Sequence, residues 1–184
     1  MGEIEKHLPT LIEVVETLHK EMPNLKVVIP AANDRAYRAI SSCVSRLKSS
    51  SLRVTHGGAR AALRDADAAA VASGTATLEA ALAGCPTVLV YRVGWLFAFL
   101  ARRVIRGIRH IGLANIIAEK SEAECPMPEL LQEDFSAGNV LGILRPWLTD
   151  GKANAAARLA LADTMKLIKS DGGAIVRIAD CILA

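Results

Sequence analysis

Through residue 107, short apolar runs alternate with amphipathic stretches of helical period. Strands separated by helices cannot pair as tight hairpins. They are expected to lie parallel, joined by right-handed crossovers that put helices on both faces of the sheet. Ile4, Leu8, Leu11, Ile12, Val15 and Leu18 predict an amphipathic helix over residues 3–21. Residues 26–30 read as a buried strand, residues 34–47 as a helix turning Tyr37, Ile40, Val44 and Leu47 inward, and residues 52–55 as a second strand. Gly57-Gly58 marks a turn before a short helix over 59–64. A small-residue strand over 68–72 leads through Ser73-Gly74-Thr75 into a helix over 77–83. Gly84 can take the left-handed capping position there, and Pro86 stops the helix from continuing. A strand over 87–91, an aromatic and basic helix over 95–107, and helices over 138–148, 152–170 and 174–183 complete the chain. The expected fold is α/β, a Rossmann-like parallel sheet with helices on both faces, forming a single domain over 1–184 with 136–184 a helical C-terminal extension. The chain opens on a helix, whereas a doubly wound unit normally opens on its central strand.

At 184 residues one domain with a sizeable core is the default. The formal charge is +3, but five arginines and no acid lie between Arg92 and His110. One local basic segment suits a local anionic partner and argues against a protein that coats nucleic acid. Cys43, Cys85, Cys125 and Cys181 lie far apart, without Cys-x-x-Cys or a His/Cys cluster at metal spacing. Reduced thiols in a cytosolic setting are expected, with no metal and no cofactor. The chain starts without a signal-peptide pattern, and no apolar run nears the roughly 20 residues that span a bilayer.

The strongest local signal is Ser73-Gly74-Thr75-Ala76-Thr77-Leu78-Glu79, between a strand and a helix. Ligands of open parallel sheets bind beyond the carboxyl ends of strands. There the free N–H groups of a helix start suit a diphosphate. Gly74 permits close backbone approach, and Ser73, Thr75 and Thr77 add hydroxyls. Ordinary helix capping by Ser73 or Thr75 is an equal reading of that turn. Glu79 does not complete a capping box, because Ala76 and Leu78 occupy the positions three beyond Ser73 and Thr75. Its carboxylate suits ribose hydroxyls, or it is a solvated acid favoured by the helix dipole.

Residues 95–110 carry a second signal. Trp95, Phe99, Arg102, Arg106 and Arg109 fall on one side of a helix, with Arg103 adjoining. An acid-free helix of this kind suits an anionic bilayer surface or a docked partner domain, and the residues leave both open. Asn115 falls in a loop after that helix, where Asn usually serves turn chemistry, and the residues alone leave its role unassigned. His7, His19, His56 and His110 show no acid or nucleophile partner in the sequence and read as surface or core residues, with His56 notable for preceding Gly57-Gly58.

These residues resemble lipid-A-disaccharide synthase. The resemblance rests on His56-Gly-Gly-Ala-Arg60, residues 68–79, Cys85-Pro86 through Tyr91-Arg92, the arginine-rich helix, Asn115 and Pro128-Glu-Leu-Leu-Gln132, in order along nearly the whole chain. It implies the C-terminal, donor-binding half of a GT-B glycosyltransferase. Such an enzyme joins UDP-2,3-diacylglucosamine to 2,3-diacylglucosamine 1-phosphate with inversion, without a metal, peripherally on the cytoplasmic face of the bacterial inner membrane. By resemblance Ser73, Gly74, Thr75, Thr77 and Glu79 hold the UDP diphosphate and ribose, Arg92 and Asn115 lie nearby, and His56 and Gly57 face the uracil.

Two departures set further expectations. The family's Leu-Pro-Gly-Ser-Arg strand, which precedes a Glu-Ile pair, has no counterpart before Glu3-Ile4, and the acceptor half with its catalytic carboxylate is absent from these 184 residues. No residue here is therefore assigned as catalytic. The acceptor half is an expected partner, and the sheet is expected to lack its central strand. Other UDP-sugar enzymes of the same fold, and a non-catalytic nucleotide- or membrane-binding remnant, are the competing readings.

Overall fold

The computed structural model describes residues 2–45, 52–72, 75–92, 110–120 and 124–170. The helices expected over 95–107 and 174–183 lie outside the described residues, as do Ser73 and Gly74. The order is α1 (Gly2–Glu21), β1 (Val27–Ala31), α2 (Asp34–Val44), β2 (Leu52–His56), α3 (Ala59–Asp65), β3 (Ala69–Ala72), α4 (Thr75–Leu82), β4 (Thr87–Tyr91), α5 (Leu113–Lys120), β5 (Glu129–Leu131), a 3-10 turn (Gln132–Asp134), α6 (Ala137–Thr149) and α7 (Gly151–Ser170).

Every strand pair is parallel, as the alternation requires. β1 pairs with β2, Val27 opposite Leu52. β3, β4 and β5 form a second sheet in that order, Ala69 opposite Thr87 and Leu89 opposite Glu129. The two sheets share no ladder among the described residues. α1 spans both. Its Val14 and Leu18 join Val88, Val90, Phe135 and Val140 in one buried cluster. Its Leu8 joins Ala31, Ile40 and Val44 in another. A third cluster gathers Leu63, Leu78, Ala80, Ala81, Cys85 and Leu161 on α3, α4 and α7.

Burial reports the break in the sheet. Val88, Leu89 and Val90 on β4 are fully buried, as expected of a strand with neighbours on both sides and helices on both faces. β3, beside it, is only half-buried along its length, and Val28 on β1 is 40% exposed. Among the described residues β1 and β3 each have a strand neighbour on one side only, and their lesser burial is that of edge strands.

Local chemistry explains most element ends. Asn33 caps α2 by accepting from the Ala36 N–H at 2.9 Å, and Ser136 caps α6 by accepting from the Asn139 N–H at 3.2 Å. Gly84, at φ 64°, ends α4 in a Schellman motif: its N–H bonds Ala81 O and the Cys85 N–H bonds Ala80 O. Arg158 of α7 then donates to Gly84 O and Ala66 O, both at 2.9 Å, tying α7 to the loops at either end of β3 and α4.

Four elements depart from the sequence reading. α4 begins at Thr75, two residues early, so Thr75 is the first helical residue and not its cap. α5 and β5 were not foreseen; at eight and three residues they are too short to show a period. α6 is no mere appendage, since its Val140, Leu141 and Leu144 help build the core beneath β4. No helix among the described residues is long and apolar enough to cross a membrane.

Candidate functional site

The carboxyl ends of both sheets face the first turns of α1. The His7 Nε2 accepts from the Arg92 N–H at 2.9 Å, just past β4, and Leu8 shares a cluster with Ala31 at the end of β1. The carboxyl ends of the strands therefore lie along one rim, where ligands of open parallel sheets bind.

At the β2 end, His56 stacks on Tyr37 with ring centroids 3.8 Å apart, and its Nδ1 lies 3.2 Å from Asp34 Oδ1. Asp34 and Tyr37 come from the start of α2. The His56 half of the stack is open, with 58% of its side chain exposed, while Tyr37 is half-buried against the Leu8 cluster. Gly57 and Gly58 have φ of 63° and 78°, the left-handed region that glycine enters without strain. The Gly57 N–H bonds Ala31 O at 2.7 Å and so locks this turn to the end of β1.

At the β3 end, Thr75 is exposed, Glu79 is half-buried and Thr77 is fully buried. Glu79, one turn into α4, engages no partner through its side chain among the described residues. Thr77 does not present its hydroxyl to solvent. At the β4 end, Arg92 turns inward. Its guanidinium lies 5.0 Å from the centroid of the fully buried Phe135 ring and donates through Nη2 to Phe135 O. His7 packs against Tyr91 and Phe135, each with ring centroids 5.6 Å away.

Asn115 is fully buried on α5. Its Nδ2 donates to Met127 O at 2.6 Å and to Glu129 Oε1 at 2.8 Å, and its Oδ1 accepts from the Met127 N–H at 3.0 Å. Both amide hydrogens are used, so this side chain clamps α5 to the segment entering β5. The placing of Asn115 in a loop is corrected: it is helical and interior.

Glu129 is the residue that sequence reasoning passed over. Its carboxylate accepts from the Ile111 N–H at 2.9 Å, the Gly112 N–H at 3.1 Å and Asn115 Nδ2, with its side chain 8% exposed. The stretch 128–132 carried the resemblance, but nothing in its spacing singled out the glutamate. A Cβ at Gly112 would sit 2.9 Å from Leu89 Cδ1 and 3.3 Å from Glu129 Oε1, so only glycine lets this loop approach so closely. Gln132 follows β5 with a φ of 54°, the one non-glycine residue in the left-handed region among those described.

The histidine reading also needs correction. His110 lies 3.2 Å through Nε2 from Cys125 Sγ and 3.6 Å through Nδ1 from Glu129 Oε1, and His56 has Asp34. These partners are remote in sequence, so no local pattern could show them. Burial, and then the charges of Glu119, Glu129 and Glu124, raise the Cys125 thiol above its usual range. Burial likewise raises Cys85. Trp95, Phe99, Arg102, Arg103 and Arg106 lie outside the described residues.

A sequence profile for lipid-A-disaccharide synthetase matches residues 1–170. Among similar proteins, the lipid-A-disaccharide synthase of Acidobacterium capsulatum is 33% identical over 96% of this chain and 45% of its own length. That of Trichlorobacter lovleyi is 32% identical over 100% of this chain and 46% of its own, and that of Anaeromyxobacter dehalogenans 32% over 99% and 46%. The chain thus spans about half the length of the curated relatives it matches. With a parallel α/β core and a profile match over most of its length, the chain belongs to the lipid-A-disaccharide synthetase family.

Proposed function

We propose that this chain is the donor-binding half of a glycosyltransferase of lipid A biosynthesis, taking the UDP moiety of UDP-2,3-diacylglucosamine at the rim of its sheets. The observation that carries the reading is Glu79: a half-buried carboxylate in the first turns of α4, unengaged among the described residues, beside the strand-to-helix turn at the end of β3. The helix start, with Ser73, Gly74 and Thr75, receives the diphosphate, and Glu79 accepts from the ribose hydroxyls. The open His56 half of its stack with Tyr37 offers an aromatic face for uracil, with Gly57 shaping the loop. Arg92 and Asn115 serve as supports for this rim, one seated on Phe135 and the other holding α5 to β5. Thr77 is buried. Membership of the family supports the sugar-transfer chemistry, and the partner that completes it is the acceptor half found in longer relatives.

Calorimetric titration with UDP tests the reading. Wild-type chain is expected to bind UDP, and Glu79→Ala to weaken binding by about 1–3 kcal/mol, the scale of lost charge-assisted hydrogen bonds. Equal binding by both proteins would remove Glu79 from the ribose site. Absence of binding by wild type would favour a non-catalytic remnant.

Peripheral attachment to the cytoplasmic face of the inner membrane is part of the same proposal. The acid-free segment holding Trp95, Phe99, Arg102, Arg103 and Arg106 supports it. Wild-type chain is expected to sediment with anionic phospholipid vesicles at low salt, and changing Arg102, Arg103 and Arg106 to Glu should abolish the binding. If wild type stays in the supernatant, the segment is left with a domain-docking role.

A further inference from the structure

Outside the proposed donor contacts, three chemically reactive side chains meet near β5. Cys125 and Glu129 lie on the segment entering that strand and within it, and His110 lies just before α5. We propose that they form an activated thiol site, in which His110 takes the Cys125 proton and Glu129 steadies the resulting imidazolium, so that Cys125 attacks soft carbon electrophiles.

The geometry sets the roles. Glu129 can only accept, and it is held by the Ile111 and Gly112 N–H groups and by Asn115, so it does not swing away. At 3.6 Å, its approach to His110 Nδ1 is electrostatic and longer than a hydrogen bond. A carboxylate on that side favours the proton on Nδ1, which leaves Nε2 free to accept the thiol hydrogen at 3.2 Å from Sγ. This is the nucleophile–base–orienter order of covalent catalysis. His110, with 27% of its side chain exposed, and half-buried Cys125 both line an open cleft of about 390 Å³. Met127, Pro128 and Leu131 give that cleft an apolar wall. Free Cys43 is exposed but has no such pair of neighbours among the described residues, and Cys85 is buried.

The base matters because the unaided thiolate is disfavoured here. Burial and the charges of Glu119, Glu129 and Glu124 hold the thiol up, and Asp134 adds another acid to the cleft lining. Deprotonation at neutral pH then proceeds through His110. With iodoacetamide as probe, an S–C bond forms, the C–I bond breaks, iodide leaves with the electron pair, and the thiol proton goes to Nε2. The acids also favour a neutral reagent over an anionic one.

The test uses the 184-residue chain, with iodoacetamide labelling followed peptide by peptide by mass spectrometry between pH 5 and 9. Cys125 is expected to label about tenfold faster than Cys43 at pH 7, short of the roughly hundredfold a positioned base can supply because burial and the neighbouring acids oppose the thiolate. Its rate should rise and level off at lower pH than that of Cys43, and iodoacetate should react more slowly than iodoacetamide. His110→Gln should bring the rate below that of Cys43 and move the rise into the alkaline range. The wild-type pH profile decides the matter even if the variant folds poorly, which labelling of Cys85 would reveal. A Cys125 rate that follows the Cys43 profile, or that is unchanged in folded His110→Gln, would overturn the proposal. UDP binding does not enter this readout, so the donor-site reading stands or falls separately.

Discussion

The 184-residue chain alone is expected to release no UDP above background from the two lipid substrates, and adding the remaining half of a full-length relative, in trans or in frame, should raise turnover at least about a hundredfold, the low end of what a positioned general base contributes. Inverting transfer needs a base for the acceptor hydroxyl and groups that hold the reacting atoms in line. At the proposed donor turn the described carboxylate is Glu79, to which the proposal gives the ribose and not the acceptor hydroxyl. The chain covers 45–46% of the three relatives named above. The interruption between β1–β2 and β3–β4–β5 is a place where further polypeptide could complete the sheet. Turnover by the purified chain would sink both the split-site reading and the assignment of Glu79.

Asn115→Ala should lower the stability of the chain by about 3 kcal/mol, because it takes the side-chain partner from the Met127 carbonyl and N–H and one donor from Glu129. Met127 loses a donor to its carbonyl and an acceptor for its N–H, and Glu129 loses one of three donors to its carboxylate. Each unsatisfied buried group costs about 1–3 kcal/mol, and water entering the gap recovers part of the sum. In urea this corresponds to a midpoint shift of about 1–3 M for a protein of this size. A variant with an unchanged midpoint but weakened UDP binding would return Asn115 to a ligand role. A large loss of stability with UDP affinity kept in the folded fraction would confirm it as a clamp.

Much of the fold was legible because it rests on short-range rules. The helices at 2–21 and 151–170 declare themselves by apolar period, and the strands at 27–31 and 87–91 by unbroken apolar runs. Gly84 followed by Pro86 declares the end of α4, and the Schellman hydrogen bonds are what those residue types permit. The parallel pairing of every described strand also followed from chain order, because each strand is separated from the next by a helix or a long connection. Residues 129–131 and 113–120 were opaque because each is too short to show a period, and their structure is held by partners elsewhere. β5 exists through its ladder to β4, and α5 through the Asn115 clamp.

The candidate site divides along the same line. The strand-to-helix turn at residues 73–79 and the His56-Gly57-Gly58 loop could be read from the chain, since their positions at strand ends follow from parallel topology alone. Which side chains face outward there depends on packing: Thr77 is buried, Arg92 is drawn in by Phe135, and Glu79 is left half-open. His110, Cys125 and Glu129 show no relation in sequence. They meet because Gly112 allows a loop to press against β5, and a contact between residues so far apart along the chain exists only once the elements carrying them have packed.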